Sequence, residues 1–174
     1  MRKELIALRH AMEQSGVDVY VIPTDDFHGS EYVGDYFRCR AYVSGFTGSA
    51  GTLVVAKDWA GLWTDGRYFL QGAQQLSGSG IDLCKMGEPG VPTVLGWLKD
   101  NLKEGMTLGF DGRSMTAGTG LAMAEIAENT DGTGAAEGSL KGDVGEVHIF
   151  VGDSRTVGLG AALGAISYDN LLQQ

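Results

Sequence analysis

The sequence predicts an α/β domain in which helices flank a mixed β-sheet. Short apolar runs typical of strands alternate along the chain with segments whose apolar residues recur at helical spacing. Two of these runs, GTLVVAK and AGLWT, are separated only by a short polar connection at Lys57-Asp58, which is typical of a β-hairpin. Alternation favours parallel strand pairs and the hairpin adds an antiparallel pair, so we expect a mixed sheet.

The first elements follow from periodicity and from turn residues. Leu5, Leu8 and Met12 predict a helix over about residues 2–15, and Gly16 stands where a C-cap glycine belongs. The apolar run VDVYVIP, ended by Pro23, predicts a strand buried on both faces.

A polar loop, TDDFHGSEY, follows this strand. Residues 31–37 (EYVGDYF) are expected to form a short helix, capped by Ser30 or Asp26. Residues 45–51 (GFTGSAG) then form a glycine-rich loop that leads into the hairpin.

The remaining elements alternate in type. RYFLQGAQQL has a helical pattern, IDLCKM reads as a strand, and GEPGVP is a loop. TVLGWLKDNL predicts an amphipathic helix with an apolar stripe formed by Val94, Leu95, Leu98 and Leu102. MTLGF predicts a strand, and a helix is expected over about residues 117–129.

The pattern loosens after this point, and many of the 28 glycines fall after Gly105. NTDGTGAAEGSLKGD predicts a flexible loop, EVHIFVG a strand and SYDNLLQQ a terminal helix. We therefore divide the chain into a domain over residues 1–130 and a divergent Gly-rich segment over residues 131–174 that is not a catalytic domain.

Composition excludes several classes of function. A formal charge of −9 argues against nucleic-acid binding, and no apolar run approaches the ~20 residues of a membrane span. The N-terminus lacks the apolar middle of a signal peptide. With only Cys39 and Cys84, neither a disulfide framework nor a metal knuckle is indicated, so we expect a cytoplasmic setting.

Two glycine-rich motifs do not fit nucleotide loops. GLGAALG (residues 158–164) follows no adjacent strand, and too few residues remain for a second βα unit. GFTGSAGT lacks the Lys-Ser/Thr pair of a phosphate-binding loop and leads into a strand.

Asp25, Asp26, His28 and Glu31 bring metal-ligand side chains together within DDFHGSE. Helix capping explains the same residues, and no second cluster completes a coordination sphere, so we predict no metal site. The three scattered histidines define no Ser-His-Asp arrangement, and we assign no catalytic residue.

Arg67, in WTDGRYF, is the candidate binding residue. Asp65-Gly66 predicts a tight turn that places Arg67 at a helix start, where a cation is unfavourable unless an anion offsets it. Two interpretations stay open: a guanidinium that binds a ligand carboxylate, and an internal salt bridge to an acid such as Asp65.

Ordered blocks across about residues 3–129 resemble one family. PTDDFHGSEY, GFTGSAGT, LWTDGRYFLQ and GVPTVLGWL closely resemble the N-terminal domain of aminopeptidase P, the Xaa-Pro aminopeptidases of the creatinase/prolidase family. The resemblance implies a ribonuclease H-like α/β fold that supports homo-oligomer contacts and overhangs the substrate cleft. It also implies a following metal-dependent domain with two divalent ions, usually manganese, that cleaves peptides with proline in second position.

The resemblance carries one role onto this chain. In the cytosolic eukaryotic relatives the arginine that matches Arg67 contacts the bound peptide, so Arg67 is the expected substrate-binding residue. Tyr68, Asp26 and His28 are lesser candidates for the wall of the cleft, with packing or capping as their alternative roles.

The family's metal-ligand block does not follow residue 130 in this sequence, so no cofactor is expected in this chain itself. Two functions remain open: a non-catalytic module of a Xaa-Pro aminopeptidase that assembles subunits and shapes substrate access, and a stand-alone protein-binding scaffold derived from that module.

Overall fold

A mixed six-stranded β-sheet forms the centre of the computed structural model, which describes residues 1–26, 32–129 and 147–149. The strands are β1 (Val19–Pro23), β2 (Thr52–Ala56), β3 (Ala60–Thr64), β4 (Asp82–Lys85), β5 (Leu108–Phe110) and β6 (Val147–Ile149). They lie in the order β4-β3-β2-β1-β5-β6. Strand β2 runs antiparallel to β1 and β3, and every other neighbouring pair is parallel. The carboxyl ends of β1, β3 and β5 therefore meet at one edge of the sheet.

Five α-helices flank this sheet. They are α1 (Lys3–Gln14), α2 (Cys39–Ser44), α3 (Phe69–Gln75), α4 (Val94–Asn101) and α5 (Ala117–Glu128). Threonine side chains cap α4 and α5, because Thr93 accepts the backbone N–H of Gly96 and Thr116 accepts that of Thr119. Helix α1 ends at Gln14, and Gly16 follows the C-cap residue Ser15 with a φ of 67°, the left-handed conformation that glycine commonly adopts just after a helix.

Helices cover both faces of the sheet, so alternate residues of β1 enter different cores. Tyr20 and Ile22 pack in a cluster with apolar residues of α1 and α2. Val19 and Val21 pack in a second cluster with α4 and α5. Burial of both faces explains why β1 is a nearly continuous apolar run, as the sequence predicted.

The sequence prediction is confirmed for the mixed sheet, the hairpin and the helices α1, α3, α4 and α5. The short helix expected over residues 31–37 is wrong, because only Asp35–Phe37 forms a 3-10 turn and residues 32–34 are not helical. Helix α2 follows instead, and it was not predicted. The expected terminal helix and, apart from Asn129, the flexible loop expected over residues 129–143 lie outside the described residues.

Within the described part of the chain, no helix has the length and apolar character needed to cross a bilayer.

Candidate functional site

A cleft of about 620 Å³ opens at the carboxyl edge of β1 and β3. Most of its wall comes from the end of β1, the end of the glycine loop (residues 45–51) with the start of β2, and the end of β3 with the turn after it; Met86 and Val94 complete the lining. The lining residues are Pro23, Thr24, Asp25, Ser49, Ala50, Gly51, Thr52, Trp63, Thr64, Asp65, Arg67, Met86 and Val94. Ligands in open α/β sheets commonly bind beyond the carboxyl ends of strands, so this position favours a binding role.

Arg67 lies in the wall of this cleft and is held by Asp65. The Asp65 carboxylate accepts the Arg67 backbone N–H at 3.0 Å, Nε at 2.9 Å and a terminal guanidinium nitrogen at 2.9 Å. These bonds lower the pKa of Asp65, chiefly through the side-chain hydrogen bonds from Arg67. The salt bridge that the sequence left open is therefore present, and it leaves the Arg67 side chain 62% exposed.

A second D-G-R turn has the same geometry at the end of β5. Asp111 accepts the backbone N–H of Arg113 at 3.0 Å and its guanidinium at 2.7 Å. Arg113 instead lies over the ring of Tyr36 and does not line the cleft. The pairing of aspartate with arginine is thus a property of the turn. Of the two arginines, Arg67 lines the cleft and Arg113 does not.

Tyr68 does not line the cleft, but it contacts residues that do. Its hydroxyl lies 2.7 Å from the hydroxyl of Ser49, a lining residue, and its ring packs edge-on against Phe46. The guanidinium of Arg67 lies 5.2 Å from the centre of the same ring. Tyr68 therefore connects Arg67 to the glycine loop.

Two threonines tie the glycine loop to the strands on either side. The Thr24 hydroxyl donates to the carbonyl of Gly51 at 2.7 Å, and the Thr64 hydroxyl donates to the carbonyl of Ala50 at 2.7 Å. Because Thr24 follows β1 and Thr64 ends β3, both walls of the cleft are fixed to one loop.

Arg40 is the residue that the sequence analysis missed. It lies in α2, is only 4% exposed, and donates to Thr24 and to the carbonyls of Phe46 and Gly48. Burial lowers its pKa to about 10, so it remains a cation at neutral pH. The sequence carried no signal for this role, because periodicity assigns the inward positions of a helix to apolar residues and Arg40 takes one of them.

The other sequence candidates have different positions. Asp26 is buried, and its backbone N–H donates to the carboxylate of Asp25, which lines the cleft. His28 and Glu31 lie outside the described residues. Among residues 1–26 and 32–129, no three His, Cys, Asp or Glu side chains form a group that could hold a metal ion. We therefore derive no reaction step from a metal held by these residues.

The fold and the cleft define a class: an α/β domain with a cleft at the sheet edge. The sequence model of the Creatinase/Prolidase N-terminal domain matches residues 5–138. This chain belongs to that family, and the resemblance found in the sequence is confirmed.

The curated relatives include proteins named aminopeptidase P2 and probable Xaa-Pro aminopeptidase P. Aminopeptidase P2 of Arabidopsis thaliana is 46% identical over 126 residues, which are 71% of this chain and 18% of the relative. A probable Xaa-Pro aminopeptidase P of Talaromyces marneffei is 41% identical over 128 residues, 74% of this chain and 19% of the relative. The chain thus spans about a fifth of the length of these relatives.

Solved structures share the fold. An X-prolyl aminopeptidase from Caenorhabditis elegans, described as a cytosolic enzyme with a di-nuclear active site, matches with a TM-score of 0.66 and 33% identity, covering 75% of this chain and 23% of that one. The N-terminal domain of the cytoplasmic peptidase PepQ from Mycobacterium tuberculosis matches with a TM-score of 0.53 and 27% identity. The match covers 75% of this chain and 89% of that one.

Proposed function

We propose that this chain is the non-catalytic N-terminal module of a metal-dependent Xaa-Pro aminopeptidase, and that its cleft forms part of the access path for peptides with proline in second position. The observation that carries the proposal is the position of Arg67, whose exposed side chain lies in the wall of a cleft at the sheet edge, in a chain whose relatives are named aminopeptidase P2 and probable Xaa-Pro aminopeptidase P.

The chemistry of the cleft supports a contact with peptide. A guanidinium recognises a carboxylate or a carbonyl oxygen through charge-assisted hydrogen bonds, which are worth about 1.5–3 kcal/mol each. Arg67 is already held in place by Asp65 and Tyr68, so little side-chain entropy is lost when a ligand binds. Its role in this module is to bind and orient the peptide.

The bond-breaking groups belong, in this proposal, to a domain that this chain does not supply. That domain holds two divalent ions, which we take to be manganese, and the working enzyme is a cytoplasmic homo-oligomer.

A fusion enzyme tests the proposal. The chain replaces the matching segment of Arabidopsis aminopeptidase P2, and cleavage of a Gly-Pro peptide is measured. Loss of one charge-assisted hydrogen bond predicts that Arg67→Ala raises KM by about 10-fold or more, with a smaller change in kcat.

Arg113→Ala is the matched control, because Arg113 makes the same turn pairing away from the cleft. We expect its KM to stay within about twofold of the parent, as for other surface changes. Equal KM values for the two variants would rule out a peptide contact by Arg67.

A further inference from the structure

We propose that Arg40 is the positioning residue of the cleft: its buried guanidinium holds the end of β1 and the glycine loop in the arrangement that presents Ser49 and Arg67 to peptide. This inference rests on the proposed function of the cleft.

The first observation is that one guanidinium bridges two cleft walls. Its Nε donates to the hydroxyl of Thr24 at 2.8 Å, on the β1 side. Its two terminal nitrogens donate to the carbonyls of Phe46 at 2.7 Å and Gly48 at 2.6 Å, in the glycine loop. The planar fork of arginine therefore fixes the distance between the two walls.

The second observation is that, in the part of the chain that the structure describes, only neutral groups compensate this charge. No carboxylate among the described residues lies within ion-pair distance of Arg40, although its side chain is buried. A buried cation is costly unless hydrogen bonds satisfy it, so the three acceptors must stay in place together. The same guanidinium lies 5.0 Å from the centre of the Phe46 ring, which adds a fourth favourable contact.

The third observation is that the loop transmits this constraint to Arg67. The residues that follow Gly48 are bonded to the β3 side, since Ser49 contacts the Tyr68 hydroxyl at 2.7 Å and Ala50 accepts from Thr64. Tyr68 in turn lies beneath the Arg67 guanidinium. A loop released from Arg40 is therefore free to shift Ser49, and with it the support of Arg67.

Helix α2 also provides a control for general destabilisation. Val43 lies one turn from Arg40, is 4% exposed like Arg40, and packs in the core without a side-chain hydrogen bond to the cleft. Val43→Ala loosens the same helix, whereas Arg40→Lys keeps a positive charge but cannot reach three separated acceptors.

The first measurement is hydrogen–deuterium exchange of the full 174-residue chain, followed by mass spectrometry of the segment around residues 45–52. We expect Arg40→Lys to speed exchange of this segment by about 10-fold or more, as for local opening, beyond the change seen in Val43→Ala. Exchange in Arg40→Lys no faster than in Val43→Ala overturns the proposal.

If Arg40→Lys does not fold, Thr24→Val serves as a second, less disruptive variant for the same exchange measurement. Thr24→Val removes only the hydroxyl that accepts from Arg40 and donates to Gly51. We expect the same segment to exchange faster in Thr24→Val than in Val43→Ala, and equal rates again overturn the proposal.

The second measurement is KM for the Gly-Pro peptide in the fusion enzyme. Arg40→Lys is expected to raise KM several-fold with kcat nearly unchanged, while Val43→Ala leaves both unchanged below its unfolding temperature. An unchanged KM in Arg40→Lys, with Arg67→Ala still raising KM, overturns the positioning role and leaves the proposed function standing. An unchanged KM in Arg67→Ala overturns the proposed function itself, whatever the exchange rates are.

Discussion

At the scale of single residues, the turn after β3 pairs the cation Arg67 with the carboxylate of Asp65. A cation at the start of a helical turn faces the positive end of the backbone dipole. Asp65 removes the conflict, because one carboxylate accepts both the backbone N–H and the guanidinium of Arg67. The recurrence of this arrangement at Asp111 and Arg113 indicates that the three residues D-G-R specify it locally.

The carboxyl group of Asp65 is predicted to titrate below its ordinary range, because hydrogen bonds from Arg67 favour the ionised form. The pairing therefore contributes stability above the pKa of Asp65 in the unfolded chain, and the contribution is lost as pH falls through the lower pKa of the folded state. NMR titration of the side-chain carboxyl carbon measures this pKa directly.

Arg67→Ala is expected to raise the pKa of Asp65 toward the ordinary value of an aspartate, because the side-chain hydrogen bonds that lower it are lost. Arg113→Ala is the control, since Arg113 pairs with Asp111 and not with Asp65. An Asp65 titration that does not move in Arg67→Ala contradicts the assignment of its lowered pKa to this pair.

Arg67 and Arg40 differ in how well their contacts can be predicted from the sequence. Arg67 was predictable because its partner is two residues away, within a recognisable turn. The bonds of Arg40 to Thr24 and Gly48 join segments up to 16 residues apart, and they exist only after α2 has packed. Neither periodicity nor turn chemistry encodes contacts of this kind.

At the scale of elements, the glycine loop is shaped by the groups packed around it. A Cβ atom at Gly48 would overlap the ring of Phe46 and lie 2.9 Å from a ring carbon of Tyr68. Phe46 is fully buried and has no space to move aside. Glycine at this position therefore lets Tyr68 pack onto the loop and reach Ser49.

Gly48→Ala is expected to destabilise the chain by about 1–3 kcal/mol, because an added methyl group overpacks a filled core. Denaturant unfolding followed by fluorescence measures the change. Gly118→Ala, in α5, is the matched control, since a Cβ there meets nothing within 4 Å. Helix propensity predicts that it is neutral or stabilising by up to about 1 kcal/mol. Similar losses in both variants contradict the packing argument.

The elements that the sequence predicted are those with a strong pattern. Helix α4 presents a stripe that includes the buried Leu98, the buried Leu102 follows directly after the helix, and β1 is apolar throughout. The failure at residues 31–37 has a physical reason: Tyr32 and Tyr36 are exposed, so no apolar face holds a helix there. Helix α2 was missed because a charged residue, Arg40, takes an inward position that periodicity assigns to apolar residues.

At the scale of the whole molecule, helices on both sides make the sheet the shared wall of two cores. One core joins β1 and β2 to α1 and α2, and the other joins β1 and β5 to α4 and α5. The mixed-sheet fold was predictable because both cores depend on local apolar patterns. The cleft was not predictable, because it depends on the order of the strands in the sheet. In that order β2 alone separates β3 from β1, so the carboxyl ends of β3 and β1 lie near each other.

This arrangement predicts that residues 1–130 form an independent folding unit. Among residues whose burial the structure describes, those of the two cores lie between Leu5 and Ala127, and the described strand β6 (Val147–Ile149) lies at one edge of the sheet. A chain cut after residue 130 is therefore expected to unfold cooperatively, with a free energy of unfolding within about 1 kcal/mol of that of the whole chain.

The stacked pair Trp59 and Trp97, whose ring centres are 4.7 Å apart, supplies a near-ultraviolet circular dichroism signal for the native packing. Leu98→Ala in the shortened chain is the positive control, because truncating a fully buried leucine costs about 2–5 kcal/mol and must be detected. Loss of the cooperative transition on shortening would place part of the folding unit beyond residue 130.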